Sequence, residues 1–150
     1  MSGVNADKYL GIIFSTRLSF AAACRDLASR AKNRLLFIMR KLFMLNNNSL
    51  QLFVKIFDTQ IQPVIQYGSE LWGLDKKVVI YCESVHLFGL KKFLGVEMRT
   101  PNDLVYGETN RYPIYINSAI RCIQYWFKLL RMNNDRLPRK AYDNYVVSPG

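Results

Sequence analysis

Apolar residues recur every three or four positions through most of this chain, a period that admits little except helices. Cys24, Leu27, Ala28, Ala31, Leu35, Ile38, Leu42 and Leu45 form the first such stripe. Ser19 precedes it as an N-cap, and Asn46-Asn47-Asn48 follows with residues suited to left-handed turns. A long helix is therefore expected over residues 19–45. A second should start after Ser49 and keep Leu50, Phe53, Val54, Phe57, Ile61, Val64, Ile65, Gly68 and Trp72 on one face until Gly73 and Asp75 end it. Pro63 lies inside that run, so a kink or break is expected there. Residues 76–94 carry Val79, Cys82, His86, Leu90 and Phe93 in register, with Gly89 weakening the helix and Gly95 ending it. Residues 96–111 read as irregular, apart from a short helix after Thr100-Pro101. A last helix over 113–132 is expected to turn Ile116, Ile120, Ile123, Phe127 and Leu130 inward and to stop at Asn133-Asn134-Asp135.

One segment departs from this period. Tyr9-Leu10-Gly11-Ile12-Ile13-Phe14 is apolar, with β-branched and aromatic content, and polar residues follow it. It reads as a single strand of about six residues. No other strand signal is present, so its pairing partner is expected in a missing upstream part. The expected fold is mainly α: a compact bundle of four to five helices preceded by one short β-strand. Residues 1–14 would be the connecting strand, 15–135 the helical domain, and 136–150, with Pro138 and Pro149, a polar flexible tail.

The 150 residues suit one domain, and half are apolar, enough for a packed core. Twenty-one Lys and Arg stand against 11 Asp and Glu, a formal charge of +10. That excess points to a polyanionic partner, nucleic acid above all. Cys24, Cys82 and Cys122 lie far apart within apolar runs, so buried free thiols in a reducing intracellular compartment (nucleus or cytoplasm) are expected. No run approaches the ~20 apolar residues of a membrane span, and the N-terminus lacks a secretory pattern. The Asn47 sequon is accordingly read as incidental.

Little here supports catalysis. The lone histidine, His86, falls on a core-facing position, and no second histidine or cysteine sits at ligand spacing, so neither a metal site nor a cofactor is expected. The carboxylates are dispersed, with no pair placed to hold two Mg²⁺ ions, and phosphate loops and nucleophile elbows are absent. A small-molecule substrate is not expected either. Binding has more to work with. The first helix carries Arg25, Arg30, Lys32, Arg34, Arg40 and Lys41 against Asp26 alone, and Arg30, Arg34 and Lys41 share one ridge. Arg121, Tyr125, Lys128 and Arg131 form a second ridge on the last helix. Lys91 and Lys92 end the third helix, and Arg136, Arg139 and Lys140 follow the last. Cationic ridges on rigid helices suit phosphate backbones, which they position without reading bases.

Taken in order, these segments resemble the thumb region of reverse transcriptases from LINE-class (non-LTR, jockey-like) retrotransposons. Lys8-Tyr9-Leu10-Gly11-Ile12-Ile13-Phe14 is similar to the family's strand between palm and thumb. Residues 61–73, with Pro63, Tyr67, Gly68, Glu70, Trp72 and Gly73, resemble its I-x-P-x-x-x-Y-G-x-E-x-W-G signature. Phe93-Leu94-Gly95, residues 102–107, Arg111-Tyr112-Pro113-Ile114 and Tyr125-Trp126 match later landmarks in order, and the similarity covers residues 7–135. A later Glu-x-Gly of the family reads Glu108-Thr109-Asn110 here.

The resemblance implies a non-catalytic module of an RNA-directed DNA polymerase, since the palm aspartates of that family have no counterpart in this chain. It implies sequence-independent contact with an RNA–DNA hybrid or other duplex through Arg30, Arg34, Lys41, Arg121, Tyr125, Lys128 and Arg131. A polymerase palm supplied in trans is a second implied partner. The competing expectations are a protein-interaction fragment, or the relic of a truncated element with no activity of its own. Within the signature, Tyr67 and Trp72 read as core aromatics, Gly68 as a point of close packing and Pro63 as a bend.

Overall fold

The computed structural model describes residues 6–9, 12–15, 19–46 and 49–147. The protein is mainly α-helical. Helix α1 (Ala21–Met44) buries Cys24, Leu27, Ala28, Ala31, Leu35 and Leu42 of the expected stripe, joined by Ala23 and Met39, while Ile38 is half-buried. Leu45 falls just beyond the helix and is exposed, and Asn46 takes the left-handed backbone that stops it (φ 52°). Asn47 and Asn48 lie outside the described residues. α5 (Lys76–Leu94) lies along α1. Asp75 caps it by accepting from the Lys77 N–H at 2.9 Å. Gly95 closes it in left-handed conformation, with the Val96 N–H reaching the Lys91 carbonyl at 3.1 Å. Gly89 does not break α5. A side chain there would come within 2.9 Å of Leu35 Cδ2, so its bare backbone lets Leu35 and Phe57 close against the helix.

The second expected helix is four pieces. Ser49 caps α2 (Leu50–Ile56), accepting from the Leu52 N–H, as its position foretold. A π-helical turn (Phe57–Ile61) then passes into α3 (Gln62–Ile65), and the Gln62 N–H bonds the Phe57 carbonyl instead of the one four residues back. Pro63 has no N–H to continue the ladder, and the chain accommodates it with this widened turn rather than a hinge. Gly68 interrupts the helix again, left-handed at φ 74°, before α4 (Ser69–Trp72). Phe53, Phe57, Ile61, Ile65 and Trp72 still reach one core, each at most 2 % exposed. At roughly 1.5–3 kcal/mol per large side chain, these form a main hydrophobic anchor of the domain. Tyr67 departs from its expected burial and is 46 % exposed.

The lone strand is a hairpin. β1 (Ala6–Tyr9) pairs antiparallel with β2 (Ile12–Ser15), Ala6 opposite Ser15 and Tyr9 opposite Ile12. The expected single strand, residues 9–14, takes in only the last residue of β1 and the first three of β2; its Leu10 and Gly11 lie outside the described residues. The segment therefore finds its partner locally. β2 lies against α1, and Ile12 is buried beside Gly68.

α6 (Asn102–Thr109) follows Pro101, and Asn110 ends it with φ 51° and ψ 46°. Asparagine tolerates this left-handed geometry better than most residues, which suits it to stop the helix.

α7 (Ile114–Leu130) packs on α4 and α5, but with the face opposite to the one expected. Ile114, Ser118 and Cys122 are buried, while Ile116, Ile120, Ile123, Phe127 and Leu130 are exposed. The physical reason lies at Gly73: a Cβ there would sit 2.4 Å from the Ser118 carbonyl oxygen. Backbones this close admit only small side chains, so the larger ones face away. α8 (Leu137–Val147) takes up most of the expected flexible tail and folds against the end of α7, while residues 148–150 lie outside the described residues.

All three cysteines are buried and free. Contact with Cys24 and then burial push the Cys82 thiol far above its ordinary value, and burial raises Cys122. Alkylation at neutral pH should accordingly leave all three unmodified in the native protein and complete in denaturant, counted by intact mass.

Candidate nucleic-acid interface

The last turns of α7 expose Lys128 and Arg131 one helical turn apart, and the chain then reverses through Asn133-Asn134-Asp135. Arg139 holds that reversal. Its guanidinium donates to the Leu129 and Leu130 carbonyls at 3.2 and 3.0 Å, satisfying acceptors the helix end leaves free. Asp143 fixes it from the other side at 3.0 Å, and Trp126 Nε1 donates to the Tyr142 hydroxyl at 3.1 Å. This closure swings Arg136 toward Lys128 and Arg131. The three cations, with Gln124, Phe127, Met132 and Asn133, line an open concavity of about 720 Å³. No carboxylate lines it, and no ion pair among the described residues engages Lys128, Arg131 or Arg136. Uncompensated cations around one hollow create a positive field suited to phosphate oxygens.

The other expected contacts are more engaged. Arg121 lies 4.0 Å from Glu70 on α4. Tyr125 is half-buried and lines a hollow with Phe20, Glu70, Trp72, Asp75 and Cys122, apart from the cations of its own helix. On α1, Arg30 pairs with Asp26 at 2.6 Å, and Arg34 donates to the Gln60 carbonyl of the π-helical turn at 3.3 Å. Both line a groove with Leu27, Thr59, Pro63 and the exposed Tyr67. Lys41 stands 5.7 Å from the Phe37 ring near the far end of α1. α1 and α7 each pack along α5, so the two ridges sit on separate helices flanking it. The fold brings Arg30 and Arg34 together at one place, and Lys128 and Arg131 at another.

Arg136 is the residue the ridge analysis passed over. It lies beyond the helix break, and only the chain reversal gives it a place beside Lys128; the run of basic residues after Asp135 was the available signal. Several other cations serve the fold instead. Lys91 is 6 % exposed and donates to the Met98 carbonyl at 2.9 Å. Arg25, Lys32 and Lys76 lie over the Tyr81, Phe88 and Tyr115 rings.

One buried polar cluster stands apart from these cations. Glu83 accepts from the Tyr106 hydroxyl and from the Tyr115 N–H, and lies 3.4 Å from His86 Nδ1. Burial pushes its carboxyl up, but contacts from His86, Tyr106 and Tyr115 outweigh that and leave it below its ordinary 4.5. A depressed carboxylate adds stability above its unfolded pKa and loses it as pH falls through the folded one. Acidification below about pH 4.5 should therefore lower the melting temperature of the native chain more steeply than that of Glu83→Gln, followed by circular dichroism. Equal slopes would remove Glu83 from the account. His86 is 2 % exposed and packs against Phe57 and Tyr106, which places it in the core, as its helical position suggested.

Among the described residues, no three His, Cys, Asp or Glu side chains gather to hold a metal ion, and no helix is long and apolar enough to cross a membrane. The chain matches no protein-family model, no curated protein and no solved structure.

Proposed function

We propose that this protein is a non-catalytic, sequence-independent binder of nucleic-acid duplexes, in the manner of a polymerase thumb gripping an RNA–DNA hybrid. The observation that carries the reading is the concavity at the end of α7, where Lys128, Arg131 and Arg136 converge without a carboxylate. A net charge of +10 supplies the long-range field that would bring a polyanion to it. The likeness of residues 61–73 to the thumb signature of LINE-class reverse transcriptases supports the same reading. That segment here builds the core and the α4–α7 contact, so its part is architectural: it holds the helix that carries the cations. Arg30 and Arg34, on the other flank of α5, form a secondary contact region.

The test compares fluorescently labelled duplexes of equal length: an RNA–DNA hybrid, double-stranded RNA and double-stranded DNA, each in two unrelated sequences. The expected result is the same affinity for both sequences of each type, because phosphate contacts carry no base information. A strong preference for one sequence, or no duplex bound at all, would defeat the proposal. Binding of a separately supplied polymerase palm in place of duplex would favour the second reading, a protein-interaction module. The specific observation behind that reading is the apolar face that α7 leaves uncovered.

A further inference from the structure

The most amphipathic helix of this protein turns its apolar side outward. Ile116, Ile120, Ile123, Phe127 and Leu130, spaced four, three, four and three residues apart, are each between 39 and 50 % exposed, and Trp126 beside them is 45 % exposed. That spacing is the seam of a helix that pairs with another helix, repeating every 3.5 residues along a straight strip. A solvated helix gains nothing from such a strip, and five large apolar side chains in one line with a tryptophan beside them go beyond scattered surface hydrophobics.

We infer that this strip is a two-fold interface between two copies of the chain, with their α7 helices antiparallel. The residues select this occupant. An antiparallel alignment sets Ile120 opposite Ile123 of the second copy, Phe127 opposite Ile116 and Leu130 opposite Pro113, so every seam residue meets an apolar partner. On one flank Trp126 then covers Ala119, the largest side chain over the smallest. On the other flank Asn117 meets Gln124, two amides that can hydrogen-bond. A parallel pair would instead stack Phe127 on itself and align the two helix dipoles.

Charge agrees. Each copy carries +10, yet within α7 the only charged residues are Arg121 and Lys128, both off the seam. Arg121 is directed to Glu70 and Lys128 to the concavity. The two copies thus meet along a strip that itself carries no charge. Cations approach it only at its C-terminal end, where Phe127 and Gln124 share the concavity with Lys128 and Arg131. Along residues 116–123 the seam offers a nucleic acid no phosphate partner and an acidic helix no cation.

The exposed apolar surface is on the order of 500 Å² per copy, taking 150–250 Å² for a full aromatic side chain. That is near the lower limit for specific interfaces, so the dimer is weak and concentration-dependent. Raising salt screens the repulsion between the cationic bodies and strengthens it, opposite to the effect on duplex binding.

Sedimentation velocity of the intact chain over roughly 5–500 μM protein and 50–500 mM salt tests this. The expected result is a monomer–dimer equilibrium that shifts toward dimer with both variables. Ile123→Glu, at an exposed position, should abolish it while keeping the native helical spectrum and melting temperature. Register is read separately by oxidising an equimolar mixture of Ile120→Cys and Ile123→Cys chains, which should yield the mixed disulfide well beyond the two-to-one ratio over either homodimer that random pairing gives. A monomer at every concentration and salt, a dimer that survives Ile123→Glu, or a mixed disulfide at or below the two-to-one random ratio would each overturn the inference. Because these readouts contain no nucleic acid, they stand or fall independently of duplex binding.

Discussion

Gly73→Ala should lower the melting temperature by roughly 6–12 °C, the equivalent of about 3 kcal/mol in a domain of this size. The backbone at Gly73 is ordinary right-handed helix (φ −64°, ψ −15°), so alanine meets no conformational penalty there. The cost is steric. The new Cβ would lie 2.4 Å from the Ser118 carbonyl oxygen, 2.6 Å from its carbon and 2.6 Å from the Ser69 carbonyl oxygen. All three are backbone atoms, so no side-chain rotation relieves the clash, and α4 must part from α7. Gly95→Ala is the matched control. Gly95 is left-handed at φ 69° with nothing within 4 Å of a Cβ, so alanine should cost only ~1–2 kcal/mol. Thermal melts of the two variants side by side decide the matter. If Gly73→Ala proves no worse than Gly95→Ala, the close α4–α7 approach is not what holds the cationic helix in place.

The second large effect concerns binding. Replacing Lys128, Arg131 and Arg136 together by glutamine should weaken duplex affinity by about 10²–10³-fold near 100 mM salt. It should also make the salt dependence shallower by nearly three in log–log slope, since each lost phosphate contact removes about 0.9. The three residues are exposed and outside the core, so the melting temperature should stay within about 1 °C. Arg30→Gln with Arg34→Gln should have a smaller effect, because Asp26 and the Gln60 carbonyl already engage those guanidiniums. A triple variant that binds as tightly as the native chain would move the interface elsewhere on the surface.

Much of the helical framework was legible in the residues themselves. Ser49 caps where its side chain can accept from the next turn, and Gly95 and Asn46 stop helices in left-handed conformation. These signals are local, and local chemistry carries them. The misreadings came where a distant contact decided. The α7 pattern shows a strong apolar face, and burial of that face is the ordinary outcome. Here the approach of Gly73 to Ser118 requires a small residue where the two backbones cross, and nothing within residues 114–130 announces that. The break of the second helix was expected at Pro63, but the widened turn before it and the reversal at Gly68 depend on how Phe57, Ile61 and Trp72 reach one core. Tyr9 and Ile12 pair with each other, whereas the run read straight through as one strand.

The candidate site divides the same way. Lys128 and Arg131 were visible as neighbours on a helix because that spacing is fixed by the helix itself. Arg136 joins them only because Arg139 ties the reversed chain to the Leu129 and Leu130 carbonyls, a contact between two elements. Tyr125 shares their helix but lines the hollow beside Trp72, a placement set by packing against α4.

The most direct test of the duplex-binding reading is a titration of the intact chain against a labelled RNA–DNA hybrid from about 50 to 200 mM salt. The account predicts binding at low salt that falls with a log–log slope of about −3 or steeper, the signature of several phosphate contacts releasing counterions. No binding at ~50 mM by a sample with its native helical spectrum, or an affinity indifferent to salt, would contradict it.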